Sequence, residues 1–353
     1  MKIFVLNSGS SSIKYKFFLY KDGKFKVIDS GVIEHIGEGK NYPKNHKEAL
    51  ELIDEDFNSF DIIAHRVVHG GSYFTEPTII NQDVIKKIEE VSYLAPLHNP
   101  ANLEGIKALS RIDTTQIAFF DTAFHQTMPI ESYRYAIGEE YSNIRRYGFH
   151  GISHQYLTKE ASKLLNKSID RCNLITLHLG NGASVTAIKN GKSIDTSMGF
   201  TPLEGLIMGS RCGNIDAGAI IYLAEQLKKS PKEIEHILNY ESGLKAICGT
   251  NDMREIIKNS KNGDKRSQLA FKMFCNRVKK YIGAYIALIG KVDAIIFSGG
   301  IGENSKEVRD EVCSNMEHLG IRKDKNSPIS IFTIKTNEEL EMAKGSLEMV
   351  GVR

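Results

Sequence analysis

The sequence lacks cysteine pairs and long apolar runs, and each absence excludes a class of protein. An odd number of cysteines without a Cys-x-x-Cys pair predicts reduced thiols in the cytoplasm and disfavours a structural zinc site. No apolar run approaches the roughly 20 residues of a membrane span, and Met1-Lys2 leads straight into a strand pattern, so neither a membrane segment nor a signal peptide is expected. The five cysteines are Cys172, Cys212, Cys248, Cys275 and Cys313.

An excess of charge of one sign is also absent. The 46 Lys and Arg residues against 43 Asp and Glu residues give a net charge of +3. Because the two signs are interspersed, neither a nucleic acid nor a membrane surface is an expected partner. The composition, 41% hydrophobic and 25% charged, is typical of a globular protein. A chain of 353 residues is long enough for two domains.

The sequence does contain a repeated Gly/Ser/Asn-rich hairpin pattern. Near the N-terminus, the apolar run 3–6 is followed by Asn7–Ser12 and a second apolar run. The same order returns at 174–179, where Gly180-Asn181-Gly182 forms the hairpin. Each copy predicts strand, hairpin, strand, tight turn and strand. The repeat indicates a duplicated domain, and two facing copies would form a cleft whose hairpins bind phosphates through backbone N–H groups.

Three further apolar runs, at 62–64, 117–120 and 294–297, predict buried strands that end in polar or glycine residues. In open α/β sheets, ligands bind beyond the carboxyl ends of the strands. We therefore expect one crevice to be formed by five strand ends: Asn7, Arg66, Asp121, His178 to Gly182, and Gly299 to Asn304.

Helix signals lie between these runs. Asn99 before Pro100 predicts an N-cap and a helix start, and residues 264–290 predict one long helix. Thr336-Asn337-Glu338-Glu339 is typical of a capping box that opens a last helix. The junction between the two domains is expected to be a compact hinge between Asp121 and Gly151.

Two arginines stand in unusual surroundings. Arg66 lies inside an apolar run, where an unpaired charge is costly, so it needs an anion from the protein or from a substrate. Arg211 lies between Gly209 and Gly213, where its guanidinium can be presented without obstruction. Arginine binds carboxylate and phosphate bidentately, which lysine cannot do. Taken singly, each arginine could equally form a structural ion pair.

The glycine segments and the histidines give weaker signals. Gly180-Asn181-Gly182 and Gly299–Asn304 follow strands and suit phosphate binding. Neither is followed by the Gly-Lys-Ser/Thr of a P-loop, and the second lacks the G-x-G-x-x-G spacing of a dinucleotide-dependent dehydrogenase. The pair His150 and His154 has no further ligand pattern, which disfavours zinc. Without context, Asn7 could be a turn residue, Lys14 a solvated strand lysine and Glu338 a first-turn helix glutamate.

Longer motifs recur along the chain, in the segments 7–14, 65–71, 97–100, 120–125, 147–151, 178–182, 195–205 and 300–304. They resemble the motifs of the acetokinase (acetate kinase) family, and the resemblance covers nearly the whole chain. It implies the superfamily of acetate and sugar kinases, heat-shock chaperones and actin, with an α/β fold of two duplicated ribonuclease-H-like domains flanking an active-site cleft, usually as a homodimer. The expected domains are 1–121 plus 339–353, and 122–338.

The resemblance also implies roles for single residues. Asn7 and Glu338 would bind Mg²⁺, with Mn²⁺ as a possible substitute. The expected catalytic residues are Arg66, Asp121, His150 and Arg211, and Arg66 would also bind the acyl substrate. The apolar pocket for the acyl methyl would be formed by Val68, Leu97, Phe149 and Pro202. The expected ATP-binding residues are Ser12, Lys14, His178, Leu179, Gly180, Asn181, Gly182, Asp252, Met253, Arg254, Gly300, Ile301, Gly302, Glu303 and Asn304.

The implied reaction is the reversible, Mg²⁺-dependent, in-line transfer of the ATP γ-phosphate to acetate, which gives acetyl phosphate and ADP. A carboxylate acceptor with a pKa of roughly 4.3 is already ionised at neutral pH, so we expect Asp121 to orient an arginine or a metal-bound water rather than act as a base. The alternatives are a propionate or butyrate kinase of the same fold and a pyrophosphate-using acetate kinase. A non-enzymatic ATP-gated clamp is disfavoured, because a clamp needs no acyl-binding arginines. The chain is shorter than typical members of the family, and the shortening is expected mainly between Lys14 and Arg66.

Overall fold

The computed structural model describes residues 1–9, 11–322 and 327–352. Ser10 of the first predicted hairpin and Arg353 of the predicted first domain lie outside the described residues. The chain divides into two compact units. The first comprises Met1–Gln126, Gly151–Ser153 and Asn337–Arg353, and the second comprises Thr127–His150 and His154–Thr336.

The first unit is built on a six-stranded sheet with the order β3-β2-β1-β4-β6-β5. β1 pairs antiparallel with β2 and parallel with β4, and β4 pairs parallel with β6. The carboxyl ends of β1, β4 and β6 therefore lie at one edge of this sheet. Its strands are β1 (Lys2–Ser8), β2 (Ile13–Lys21), β3 (Lys24–Ile33), β4 (Ile62–Val67), β5 (Thr78–Ile79) and β6 (Thr115–Phe120).

The second unit repeats this arrangement with a five-stranded sheet of order β11-β10-β7-β8-β9. β7 pairs antiparallel with β8, as β1 does with β2, and parallel with β10, as β1 does with β4. The repeated hairpin is confirmed, and with it the α/β fold of two duplicated ribonuclease-H-like units. The strands are β7 (Leu174–Leu179), β8 (Ala183–Lys189), β9 (Lys192–Thr196), β10 (Ala294–Ser298) and β11 (Ser330–Thr333).

Helices cover the sheets of both units. The long helix predicted at 264–290 is confirmed as α10, whose N-cap Asp264 accepts a hydrogen bond from the Ser267 amide. In the part of the chain that the structure describes, no helix combines the length and the apolar character needed to cross a bilayer. The helices are α1 (His46–Glu51), α2 (Gln82–Glu90), α3 (Asn99–Leu109), α4 (Ile130–Tyr133), α5 (Gly151–Leu164), α6 (Ala217–Glu225), α7 (Pro231–Tyr240), α8 (Gly243–Cys248), α9 (Met253–Lys261), α10 (Lys265–Ile289), α11 (Gly299–Asn304), α12 (Lys306–Cys313) and α13 (Glu338–Met349).

β1 is buried on both faces of its sheet. Ile3 and Val5 pack in a cluster with Met342 of α13. On the opposite face, Phe4 and Leu6 join a cluster that includes residues of α1 and α3. Since side chains alternate along a strand, the apolar run at 3–6 serves both cores.

Two predicted helix starts are wrong in detail. Asn99 is the first residue of α3 rather than its N-cap, which is His98. The Asn99 side chain instead accepts a hydrogen bond from the His69 amide and donates one to the His69 carbonyl. At the last helix, Asn337 rather than Thr336 is the N-cap, and its side chain accepts a hydrogen bond from the Leu340 amide at 3.1 Å.

Candidate active site

Three strand ends of the first unit meet at Arg66. Its Nε and Nη2 donate to Asp121 Oδ1 and Oδ2 at 3.1 and 2.5 Å, and its Nη1 donates to Asn7 Oδ1 at 3.0 Å. Asp121 is 1% exposed. The anion that the sequence required beside Arg66 is therefore a protein carboxylate, held in a bidentate pair.

Asn102 of α3 hydrogen-bonds the backbone near the carboxyl ends of β1 and β4. Its Nδ2 donates to the Ser8 carbonyl at 2.5 Å, and its Oδ1 accepts from the Val68 amide at 3.0 Å. It thus joins the backbone just beyond Asn7 and Arg66. The sequence did not single out Asn102, although the side chain of an asparagine inside a helix often hydrogen-bonds a backbone group.

Three carboxylates, those of Asp121, Glu338 and Glu339, act on the charge of Arg66 at this edge. Burial would lower the pKa of Arg66, but the charges of Asp121 and Glu338 outweigh this effect and raise it. Burial raises the pKa of Glu338 to about 7; Arg66 lowers it, while Asp121 and Glu339 raise it further. Glu339 also forms an ion pair with Lys16 at 3.3 Å. A bound cation would relieve the remaining repulsion between these carboxylates.

These donors fit magnesium. Asn7 Oδ1 and the Glu338 carboxylate are oxygen donors, which Mg²⁺ prefers, and the charges of Asp121 and Glu339 act on Glu338 as well. Within the described residues, no group of three or more His, Cys, Asp or Glu side chains could hold a metal ion by itself. Mg²⁺ does not require such a group, because it usually keeps several waters and binds one or two carboxylates together with substrate phosphates.

In the second unit, His150 is held in a fixed orientation. It precedes α5 with a left-handed backbone (φ +59°). Its Nδ1 lies 2.9 Å from Ser184 Oγ, and its ring stacks on His178 with centroids 4.3 Å apart. His154 Nε2 contacts the same Ser184 oxygen at 2.8 Å, and its Nδ1 contacts Thr176 Oγ1 at 2.7 Å. The pair at i, i+4 therefore shares a hydroxyl, a partner that sequence reasoning missed.

Arg211 lies beside His150 without a carboxylate partner. Its Nη1 contacts the Pro202 carbonyl at 3.4 Å and Met208 Sδ at 3.8 Å, and the described residues place no carboxylate within ion-pair distance. Burial lowers the pKa of Arg211. A Cβ on Gly182 would lie 3.4 Å from His150 Nε2 and 3.9 Å from Arg211 Nη1, so this glycine lies against both side chains. A half-buried guanidinium that no described carboxylate compensates is suited to a substrate anion.

A cavity of about 940 Å³ in the second unit matches the predicted ATP residues. Gly180, Asn181, Asp252, Met253, Arg254, Gly300, Ile301 and Asn304 all line it. Sequence reasoning missed four further lining residues, Asn251, Ile257, Ser305 and Glu307. Ile257 follows Met253 by four positions on α9, a spacing that places both on one helix face.

The other predicted ATP-binding residues do not line this cavity. Glu303 stabilises a segment that does, and Ser12 and Lys14 belong to the first unit. Glu303 Oε1 accepts from the Gly299 amide at 3.0 Å and from Ser298 Oγ at 3.2 Å, so it fixes the glycine segment from within. His178 and Leu179 end β7, and Gly182 precedes β8. Gly302 is buried inside α11. Ser12 and Lys14 belong to the first unit, where Lys14 opposes Asn7 in the β1–β2 register.

The four predicted acyl-pocket residues are divided between the units. Val68 and Leu97 belong to the first unit, and Phe149 and Pro202 to the second. Val68 and Phe149 are buried, Pro202 is half-buried, and Leu97 is 49% exposed.

Comparison with known proteins decides the family. A model of the Acetokinase family matches residues 40–344. The chain belongs to the Acetokinase family. It is 48% identical to the acetate kinase of Helicobacter acinonychis (strain Sheeba) over an alignment of 393 positions, gaps included, which covers 97% of this chain and 98% of the relative.

Solved structures of family members share the fold over almost their full length. The crystal structure of Porphyromonas gingivalis acetate kinase matches with a TM-score of 0.92 and 38% identity, covering 99% of each chain. That of a propionate kinase from Francisella tularensis subsp. tularensis SCHU S4 matches with a TM-score of 0.91 and 40% identity, covering 98% of each chain. The resemblance seen in the sequence motifs is confirmed, and the protein is an enzyme of a kinase family.

Proposed function

We propose that this enzyme is an acetate kinase that transfers the ATP γ-phosphate to acetate reversibly, with Mg²⁺, in one in-line step. The main support is Arg211, a guanidinium to which the described residues offer no carboxylate. It lies beside His150, in the unit that holds the nucleotide-sized cavity. Such a guanidinium can bind an acyl carboxylate or a transferring phosphoryl group.

Phosphoryl transfer requires positioning and charge neutralisation more than covalent help from the protein. Arg211 and His150 would place positive charge and a hydrogen-bond donor on the equatorial oxygens of the moving group. Arg66 would bind the acyl substrate, and Asp121 would orient Arg66 through the bidentate pair. Asn7 and Glu338 would hold Mg²⁺, which neutralises phosphate charge when it is bound.

The cavity of the second unit is suited to a nucleotide. Met253, Ile257 and Ile301 supply apolar surface for a base. Backbone amides of the glycine segments at 180–182 and 299–304 would bind phosphates. In the first unit, Ser12 and Lys14 of the β1–β2 hairpin would contact the phosphates.

Propionate is the second candidate acyl substrate. The propionate kinase neighbour matches this chain as well as the acetate kinase neighbour does. One methylene changes binding by only about 1–3 kcal/mol in an apolar pocket, so a pocket formed by Val68, Leu97, Phe149 and Pro202 would accept both acids to different extents.

The proposal includes a homodimer in the cytoplasm. Helix α6 is strongly apolar, yet none of its residues is buried. Ile221 and Tyr222 on it, with Ile215 before it and Leu227 after it, are each 45% exposed or more. An exposed apolar patch of this kind marks a protein contact. Ile221→Glu should convert a dimer into monomers in sedimentation velocity, whereas a wild-type monomer would refute this part.

Trapping acyl phosphate with hydroxylamine tests the activity. The proposal predicts product with acetate, ATP and Mg²⁺, less product with propionate and butyrate, and little with pyrophosphate as donor. No product with any acid would refute a carboxylate kinase, and faster turnover of propionate would favour the second candidate.

A further inference from the structure

His46, the first residue of α1, contacts the first hairpin from outside the predicted site. It is 3% exposed. Its Nδ1 lies 2.7 Å from Glu104 Oε2 on α3, and its Nε2 lies 2.7 Å from the Gly9 carbonyl oxygen. The ring is thus a direct link between a carboxylate and the segment that joins β1 to β2.

Both partners of the ring are hydrogen-bond acceptors. A carbonyl oxygen has no proton to donate, and an ionised carboxylate only accepts. A ring N–H of His46 that donates to the Gly9 carbonyl joins α1 to the hairpin, and one that donates to the Glu104 carboxylate joins α1 to α3. A hydrogen bond to a carboxylate is charge-assisted and therefore stronger than a neutral one.

His46 contacts the short segment between β1 and β2. Asn7 and Lys14, which we propose contact the metal and the phosphates, lie on either side of this segment. The Gly9 amide donates to the Ser12 carbonyl at 2.7 Å. Asn7 precedes Gly9 and Lys14 follows Ser12, and these two residues oppose each other in the strand register. A shift of the Gly9 carbonyl would therefore move the groups proposed to meet the metal and the phosphates.

We propose that His46 is a positioning residue which, by bridging Glu104 and the Gly9 carbonyl, fixes the β1–β2 hairpin for the phosphates of ATP. The inference rests on the proposed function, because it assigns the hairpin to nucleotide phosphates. It adds a residue of α1, remote in sequence from every predicted ATP-binding residue, to the determinants of nucleotide affinity.

Kinetics of two variants test the proposal. His46→Gln should raise KM for ATP about tenfold, while kcat and KM for acetate change less than about twofold, because the bonds act on the phosphate segment alone. Glu104→Gln leaves a neutral acceptor and should raise KM for ATP by about threefold. Lys47→Gln and Glu51→Gln, exposed positions on the same helix, are the matched controls and should match wild type. Equal KM for ATP in all five proteins would overturn the proposal, as would parallel loss of every kinetic constant.

Measurements without turnover separate this inference from the proposed function. Calorimetric affinity for Mg·ADP and hydrogen exchange of the peptide 7–14 should change in His46→Gln and not in Lys47→Gln, whether or not acetate is the substrate. If His46→Gln does not fold, Glu104→Gln decides by the same measurements, since its side chain is 57% exposed.

Discussion

Arg66 and Arg211 are two half-buried arginines whose charges are treated in opposite ways. Arg66 in the first unit is paired bidentately with Asp121 and has a raised pKa. Arg211 in the second unit contacts a carbonyl and a thioether, and burial lowers its pKa. The protein therefore compensates the Arg66 guanidinium with its own carboxylate, and we propose that the Arg211 guanidinium binds an anion that is not part of the chain.

The two arginines differ in how far their guanidinium groups are oriented and neutralised by the protein. A bidentate pair fixes the plane of Arg66, so this residue is already oriented before substrate arrives. Arg211 has a poorly compensated charge, which costs stability and becomes favourable only when an anion binds. The two arginines should consequently respond differently to the same substitution.

The largest expected effect is on turnover, at Arg211. Arg211→Lys replaces a fork with a point charge, so kcat should fall by about 10²- to 10³-fold with little change in thermal midpoint. Arg171→Lys, at an exposed position of the same unit, should leave both unchanged. Steady-state kinetics and calorimetry provide the measurements, and turnover like that of wild type would remove Arg211 from the mechanism.

The next largest expected effect is on the free energy of unfolding, which should fall more when Arg66 is replaced than when Arg211 is replaced. Arg66→Met leaves Asp121 buried without its partner, which should lower the free energy of unfolding by about 3 kcal/mol. Arg211→Met removes no ion pair and should cost less than about 1 kcal/mol. Urea unfolding measures both.

Removing the charge of Asp121 as well is the control for the stability loss in Arg66→Met. Adding Asp121→Asn to Arg66→Met should recover part of the lost stability, because the unpaired buried charge is gone. Equal losses for Arg66→Met and Arg211→Met would contradict the comparison.

β4, the strand that carries Arg66, also contains a buried neutral histidine, His65. Burial lowers the pKa of His65 to about 4, with a smaller opposing effect from its hydrogen bond to Gln116. The unfolded chain takes up this proton near its ordinary pKa of about 6.5, so stability is complete above that pH and is lost as pH falls towards 4, by up to about 3 kcal/mol. In His65→Gln, the free energy of unfolding should fall less steeply between these pH values. His318→Gln, an exposed control, should keep the wild-type slope, and an unchanged slope in His65→Gln would contradict the assignment.

The smallest effect concerns Asp121 as an orienting group. Asp121→Asn can keep one bond to Arg66 but loses the charge, so kcat/KM for the acyl substrate should fall about tenfold at every pH. A pH–rate profile of both proteins is the measurement. A loss confined to a shifted basic limb, with metal affinity intact, would instead make Asp121 a proton acceptor.

Local patterns were enough to predict the framework of the site. The alternation of apolar and Gly/Ser/Asn segments predicted both hairpins, and an arginine inside an apolar run predicted that Arg66 needs an anion. Gly180 and Gly300 were expected beyond strand ends, and both line the cavity of the second unit. These inferences depend on neighbours in sequence and on the rule that parallel strands end together.

Contacts between distant segments could not be predicted in the same way. Asn102 holds the ends of β1 and β4, Ser184 links two histidines, and His46 reaches Gly9. Each pairing depends on which helix packs on which strand, and the sequence of the residue alone does not contain that information. The misplaced cap at Asn99 has the same origin, because its amide is bonded to the backbone of His69.

A crystal structure with Mg·ADP, acetate and a metal-fluoride mimic of the PO₃ group tests the central claim most directly. The account predicts that the Arg211 guanidinium hydrogen-bonds the mimic or the acetate, while Arg66 keeps its bidentate pair with Asp121. An Arg211 that instead binds a protein carboxylate in the complex, with the mimic contacted by neither arginine, would contradict it.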